Sequence, residues 1–169
     1  RLAVGWSDPE PVSALDRAGG SGFPSTTEAG MIYFTSGGDI YRYNGREQVR
    51  LPGTVNTAAG EHDPFIAQDG QFLLLVREDA EGDSNIYLSI RGNDGWSGAE
   101  KLPAPFNSAT VDGSPYVTPD RKYLFLSSDR EGGTLRLAVT AAGGTPDEAP
   151  ERAEIAVVDS GVGVPPAIL

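Results

Sequence analysis

The sequence predicts an all-β fold built from repeated four-stranded antiparallel units, and three observations predict it. The chain has 22 glycines and 13 prolines in 169 residues, about a fifth against the ~12% of average usage, which marks a turn-rich protein. Its apolar runs are short, rich in aromatic and β-branched residues, and bounded by Gly, Asp, Asn and Pro, while no segment keeps a 3.6-residue period over two turns. It also repeats itself. The stretch from Asp63-Pro64-Phe65-Ile66 to Leu73-Leu74-Leu75 returns from Ser114-Pro115-Tyr116-Val117 to Leu124-Phe125-Leu126, with every large apolar position keeping its class. Leu51-Pro52 to Thr57-Ala58 likewise returns as Leu102-Pro103 to Ser108-Ala109, without a gap, and a weaker copy begins at Phe23-Pro24.

Each unit is expected to run as strands a, b, c and d. In the clearest one these fall at about 64–67, 71–77, 84–91 and 96–102, with turns at Gln68-Asp69-Gly70 and Gly92-Asn93-Asp94-Gly95 and an acidic loop at 78–83. In the first unit, Asn44-Gly45 predicts a type I′ hairpin between strands c and d, with positive φ at both residues. Alternation along strand b predicts that Phe72 and Leu74, and Tyr123 and Phe125 after them, share one face packed between neighbouring units. Trp6 and Trp96 recur near the start of strand d, where an aromatic can cover the unit's edge; sugar stacking is the alternative role. Asn56-Thr57 and Asn107-Ser108 are expected to cap the backbone of the d–a crossover.

Four antiparallel strands per 40 to 51 residues is the spacing of β-propeller blades. The divisions follow: 1–15 as the outer strand of a preceding or closing blade, 16–55, 56–106 and 107–140 as blades one to three, and 141–169 as a linker-like tail with one further strand at Ala153–Asp159. Three blades are fewer than the ~4 to 8 of a closed propeller. The expectation is therefore a partial propeller, with an open array and a homodimer completing the ring as the alternatives.

Ser114-Pro115-Tyr116-Val117-Thr118-Pro119-Asp120-Arg121-Lys122-Tyr123-Leu124-Phe125-Leu126-Ser127-Ser128-Asp129-Arg130 resembles the WD40-like Pro-Asp repeat of TolB-type bacterial β-propellers. The resemblance spans about 5–139. The family's Pro-Asp-Gly turn is altered in each copy: Glu28-Ala29-Gly30, Gln68-Asp69-Gly70 and Pro119-Asp120-Arg121. The resemblance implies a propeller of a bacterial envelope or exported protein, periplasmic or extracellular, that binds partners. It also implies an alternative, since such propellers precede catalytic domains in some hydrolases.

With 13 Lys and Arg against 24 Asp and Glu, the net charge is −11, the wrong sign for a nucleic-acid or anionic-membrane partner. No run approaches the ~18 apolar residues of a membrane span. The absence of Cys and the single His62 exclude disulfides, thiol nucleophiles and sites needing two imidazoles. No phosphate-binding glycine loop leads into a helix, and Gly19-Gly20-Ser21-Gly22-Phe23 lacks the second glycine of a nucleophile elbow. No catalytic residue is assigned and no cofactor is required.

Strand parity places the d–a and b–c loops at one end of the units. Glu61, His62, Asp63, Glu78, Asp79, Glu81 and Asp83 of blade two should therefore meet Asp112, Asp129 and Glu131 of blade three. Glu61, His62, Asp63, Glu78, Asp112 and Asp129 are the candidates for binding a basic protein partner or a small ligand. Asp79, Glu81 and Asp83 are the candidates for a cation, Ca²⁺ being the one such oxygen ligands suit, although Ser84 and Ile90 stand where an EF-hand needs Gly and Glu. The competing reading of this end is a set of solvated loops on an acidic protein.

Overall fold

A computed structural model of the chain describes residues 7–104, 106–121, 123–129, 134–138 and 155–159. Apart from a single 3-10 turn at Ser13–Leu15, the regular structure among these residues is strand. Three antiparallel sheets follow one another along the chain. Sheet one is β1 (Gly22–Thr26), β2 (Ile32–Ser36), β3 (Asp39–Tyr43) and β4 (Gln48–Arg50). Sheet two is β5 (Glu61–Ile66), β6 (Phe72–Glu78) and β7 (Ser84–Gly92), with its fourth rank split into β8 (Gly95–Trp96) and β9 (Glu100–Lys101), both paired with β7. Sheet three is β10 (Asp112–Val117), β11 (Leu124–Ser128), β12 (Thr134–Ala138) and β13 (Ile155–Asp159).

Two expectations are corrected. The outer strand expected over 1–15 is missing from its described part: residues 7–15 carry only the 3-10 turn, and Trp6 with the residues before it lies outside the described residues. The strand expected at Ala153–Asp159 forms as Ile155–Asp159 and supplies the fourth strand of sheet three, pairing along the whole of β12. The Asn44-Gly45 turn is not type I′, because only Gly45 has a positive φ, of 89°. Asn44 Oδ1 accepts from the backbone N–H groups of Arg46 and Glu47, both at 2.9 Å. The short side chain thus builds a longer Asx-type loop in place of a two-residue turn.

Alternation along β6 explains how the sheets stack. Leu73 and Leu75 join Tyr33, Ile40, Leu51, Val55 and Ile66 in a core between sheets one and two. Leu74, between them in sequence, points the other way and joins Ile86, Leu124 and Leu126 between sheets two and three. A strand buried on both faces reads as an unbroken apolar run, which is why Phe72 to Val76 shows no polar alternation. Trp96 packs against the first core and meets the Tyr33 ring edge-on at 6.2 Å, so this aromatic does cover a sheet edge.

The outward faces end differently. On sheet one, Phe34 is buried and stacks with Tyr41, whose ring lies 4.0 Å from the Arg17 guanidinium. Ser36 Oγ donates to the Gly20 carbonyl, and Gln48 donates to that of Ala14. Residues 14–20 therefore lie along this sheet. On sheet three the shared face of Tyr123 and Phe125 forms as expected, but among the described residues no further sheet packs on it: Tyr123 is 39% exposed and the neighbouring Tyr116 48%.

The leading strands β1, β5 and β10 each hold a Pro after a non-glycine residue at positive φ: Phe23 (53°), Asp63 (46°) and Ser114 (48°). At each the ladder shifts register, between Gly22 and Ser25, His62 and Phe65, and Gly113 and Tyr116. Proline has no N–H to give the ladder, so a bulge is where it fits. All three prolines line one groove of about 350 Å³.

Candidate binding site at the leading-strand rim

The crossovers that deliver the chain to β5 and β10 are built alike. Asn56 Oδ1 accepts from the Ile40 N–H at 2.7 Å while its Nδ2 donates to the carbonyls of Ile40 and Leu51 at 2.9 and 3.0 Å. Asn107 does the same with Ile86 and Leu102, at 2.7, 2.8 and 2.8 Å. Each buried amide thus satisfies three groups at once, the capping role its sequence position suggested.

Glu61 and Asp112 come next, and both were expected on an exposed face. The structure buries both completely. The Glu61 carboxylate accepts from Thr57 N–H and Oγ at 3.0 and 2.5 Å and from Arg77 Nε at 2.8 Å. Asp112 Oδ2 accepts from Ser108 N–H and Oγ at 2.5 and 2.7 Å. These carboxylates hold the crossover loops and are unavailable to a partner; a buried charge persists only when so compensated.

His62 and Asp63 do lie at the rim, on the bulge of β5. Asp63 Oδ2 accepts from Ser114 Oγ at 3.0 Å, joining the bulges of sheets two and three. Its Oδ1 is buried without a hydrogen bond, with His62 Nδ1 3.2 Å away in ion-pair range. The carboxylate beside it raises the His62 pKa, against the effect of burial, and Glu78 adds to the rise. Burial alone would raise the Asp63 carboxyl, yet the interactions with His62 and Ser114 outweigh it and lower the pKa. The order of contacts is Ser114, Asp63, His62. With the carboxylate in the middle, the imidazole is not placed to take the Ser114 proton, so this is not a nucleophile–base pair.

The remaining acidic residues divide into tied and exposed. Asp79 Oδ1 accepts from the N–H groups of Glu81 and Asp83 at 3.1 and 2.8 Å, and Oδ2 faces Asn85 Nδ2 at 3.4 Å. Its oxygens cap its own loop rather than converging with Glu81 and Asp83. Among the described residues no group of three or more carboxylates or imidazoles is placed to hold a metal. Glu78, Glu81 and Asp129 are exposed. The Asp129 N–H donates to the Val111 carbonyl at 2.9 Å and the Glu78 N–H to that of Gly60 at 3.1 Å, which puts both at the end where β5 and β10 begin. Phe23 joins them, 59% exposed and 6.5 Å from the His62 ring. Glu131 lies outside the described residues.

Sequence reasoning missed Phe23, Ser114 and Arg77 at this end. The recurring residue-plus-proline pairs 23–24, 63–64 and 114–115 were the available signal for the first two. Arg77 had none, since only strand register brings it opposite Glu61. Comparison of the chain with known protein families and with curated proteins finds no match.

Proposed function

We propose that the three sheets are successive blades of a β-propeller of the TolB-type, WD40-like class, and that the chain is a non-catalytic binding module of a bacterial envelope or exported protein. The blade reading is supported by the paired Asn56 and Asn107 networks, which repeat bond for bond, with the Asn and Leu members at the sequence offset of 51 and the Ile member at 46. The partner is a basic protein segment carrying an apolar anchor. One observation carries this: after Glu61, Asp63, Asp79 and Asp112 are taken up by internal contacts, Glu78, Glu81 and Asp129 remain exposed at the end that also presents the Phe23 ring. Surplus negative charge steers a cationic partner, and an exposed aromatic supplies an anchor for it.

The test is titration with a lysine-rich peptide containing one aromatic residue, at ~20 and ~200 mM salt. Binding should weaken steeply with salt, because exposed charge pairs are screened over about 10 Å at ~0.1 M. Glu78→Gln with Asp129→Asn should lower the affinity at low salt by roughly tenfold, and Phe23→Ala should lower it at both salt concentrations. Salt-independent binding, or variants that bind as the parent does, would overturn the assignment. A rise in thermal midpoint with millimolar Ca²⁺ would instead favour a cation site in the 79–83 loop.

A further inference from the structure

The opposite end of the sheets, where the a–b turns lie, carries a feature that the proposed partner surface does not use. Three equivalent turns there close with the same hydrogen bond: Gly30 N–H to Thr27 O at 3.0 Å, Gly70 N–H to Ala67 O at 2.8 Å, and Arg121 N–H to Thr118 O at 2.8 Å. The closing residue has φ of 81°, 71° and 60° respectively. Glycine adopts this conformation without cost, whereas an L side chain there is strained by about 1–2 kcal/mol. Two of the turns use glycine and the third uses arginine. Backbone strain retained at a single copy of a repeated turn points to a use for the side chain.

The Arg121 side chain lies over a cleft of about 200 Å³ between sheets two and three. Its guanidinium stands 5.5 Å from the centre of the Phe72 ring and pairs with Asp69 of the preceding turn. Phe65, Phe72 and Val117 line the cleft and are only half-buried, so its apolar wall is partly unfilled. Glu28, Gln68 and Thr118 complete the polar lining. Both residues that break the Pro-Asp-Gly pattern in turns two and three, Gln68 and Arg121, thus meet in the same cleft. At this volume it lies below the ~300–1,000 Å³ of pockets for drug-sized ligands. The lining offers an apolar wall, one cation and two carboxylates. The Arg121–Asp69 pair is about 40% exposed on each side, and such a pair is worth ~0–1 kcal/mol, so exchanging one carboxylate for another on Arg121 costs little.

We propose that this cleft binds a free zwitterionic amino acid with a large apolar or aromatic side chain. The ring lies against Phe65, Phe72 and Val117, the α-carboxylate pairs with Arg121, and the α-ammonium is held by Glu28 and Asp69. A lining that holds a cation and two carboxylates together matches a zwitterion better than a ligand of either single charge.

Calorimetric titration of the full chain with L-phenylalanine, 3-phenylpropionate and 2-phenylethylamine tests this. L-phenylalanine should bind saturably, and each singly charged analogue at least ~10-fold more weakly. Arg121→Gly places at this turn the residue that positions 30 and 70 already carry, so the variant should keep the parent's thermal midpoint or exceed it while losing L-phenylalanine affinity by ~10-fold or more. Glu28→Gln should weaken L-phenylalanine and 2-phenylethylamine but not 3-phenylpropionate. Absence of saturable L-phenylalanine binding at ~10 mM, a level at which even millimolar affinity would register, would overturn the proposal. So would equal affinity for the three ligands, or undiminished binding by folded Arg121→Gly.

Discussion

Sheets two and three place similar side chains at equivalent positions and bury them to different degrees. Leu74 is 3% exposed beneath Leu124 and Leu126. Its counterpart Phe125 is only half-buried, and next to it Tyr116 and Tyr123, counterparts of the half-buried Phe65 and Phe72, are 48% and 39% exposed. The strands have the same register and the same alternation. What differs is that, among the described residues, no further sheet lies on that face of sheet three. Sheet one makes the complementary point, because its outward Phe34 is buried on a face along which the 14–20 segment, rather than another sheet, makes its contacts. A repeat therefore specifies which face is apolar, and the neighbour decides how much that face contributes to stability.

The largest effect that could break this comparison is at Leu74 itself. Leu74→Ala should cost about 3–5 kcal/mol in urea unfolding, the range for large-to-small changes in a closed core, whereas Phe125→Ala should cost less than half as much because its face is partly open to water. Equal costs would mean that the outer face of sheet three is covered in solution. The Asn pair should behave oppositely, with no contrast between copies. Asn56→Ala and Asn107→Ala each remove three hydrogen bonds, although the Ile40 and Ile86 carbonyls still accept from the N–H groups of Leu51 and Leu102, and should each cost about 2–3 kcal/mol; a difference of more than ~1 kcal/mol would show that the matching bond patterns are not matched in energy.

The smallest effect is the pH response of the rim. The folded-state pKa of His62 is raised, so its contribution is complete below the unfolded value of ~6.5 and lost as pH rises through the folded value. The Asp63 pKa is lowered, so its contribution is present above ~3.8 and lost as pH falls through the folded value. Thermal midpoints should thus be highest at mildly acidic pH and decline slightly toward pH 8. His62→Gln should flatten the decline at the alkaline side and leave the loss at low pH, and a parent profile flat from pH 5.5 to 8 would contradict the pairing.

Much of this architecture was legible because it depends on local order. The match at an offset of 51 residues, the period-two alternation and the turn residues gave the strands of sheet two, the first two strands of sheet three and the crossover role of Asn56 and Asn107. Strand parity correctly brought the β5 and β10 entries to one end. It could not grade the carboxylates found there. Glu61 and Glu78 have the same charge and belong to the same loop set in sequence, yet one is buried against Arg77 and Thr57 and the other exposed. That distinction rests on which donors register and crossover geometry bring within 3 Å, which no local pattern encodes.

The chain by itself determined the strand periodicity, the number of repeat units and the apolar faces, since these follow from residue type and spacing along one backbone. Tertiary structure alone decided the rest. It took the last strand of sheet three from Ile155–Asp159 across a long gap in sequence, laid residues 14–20 along sheet one, and set Arg121 of one turn over Phe72 and Asp69 of another. Each of these is a pairing between distant segments, chosen by which exposed edge or face could be satisfied in space, and residues far apart in sequence carry no mark of that choice.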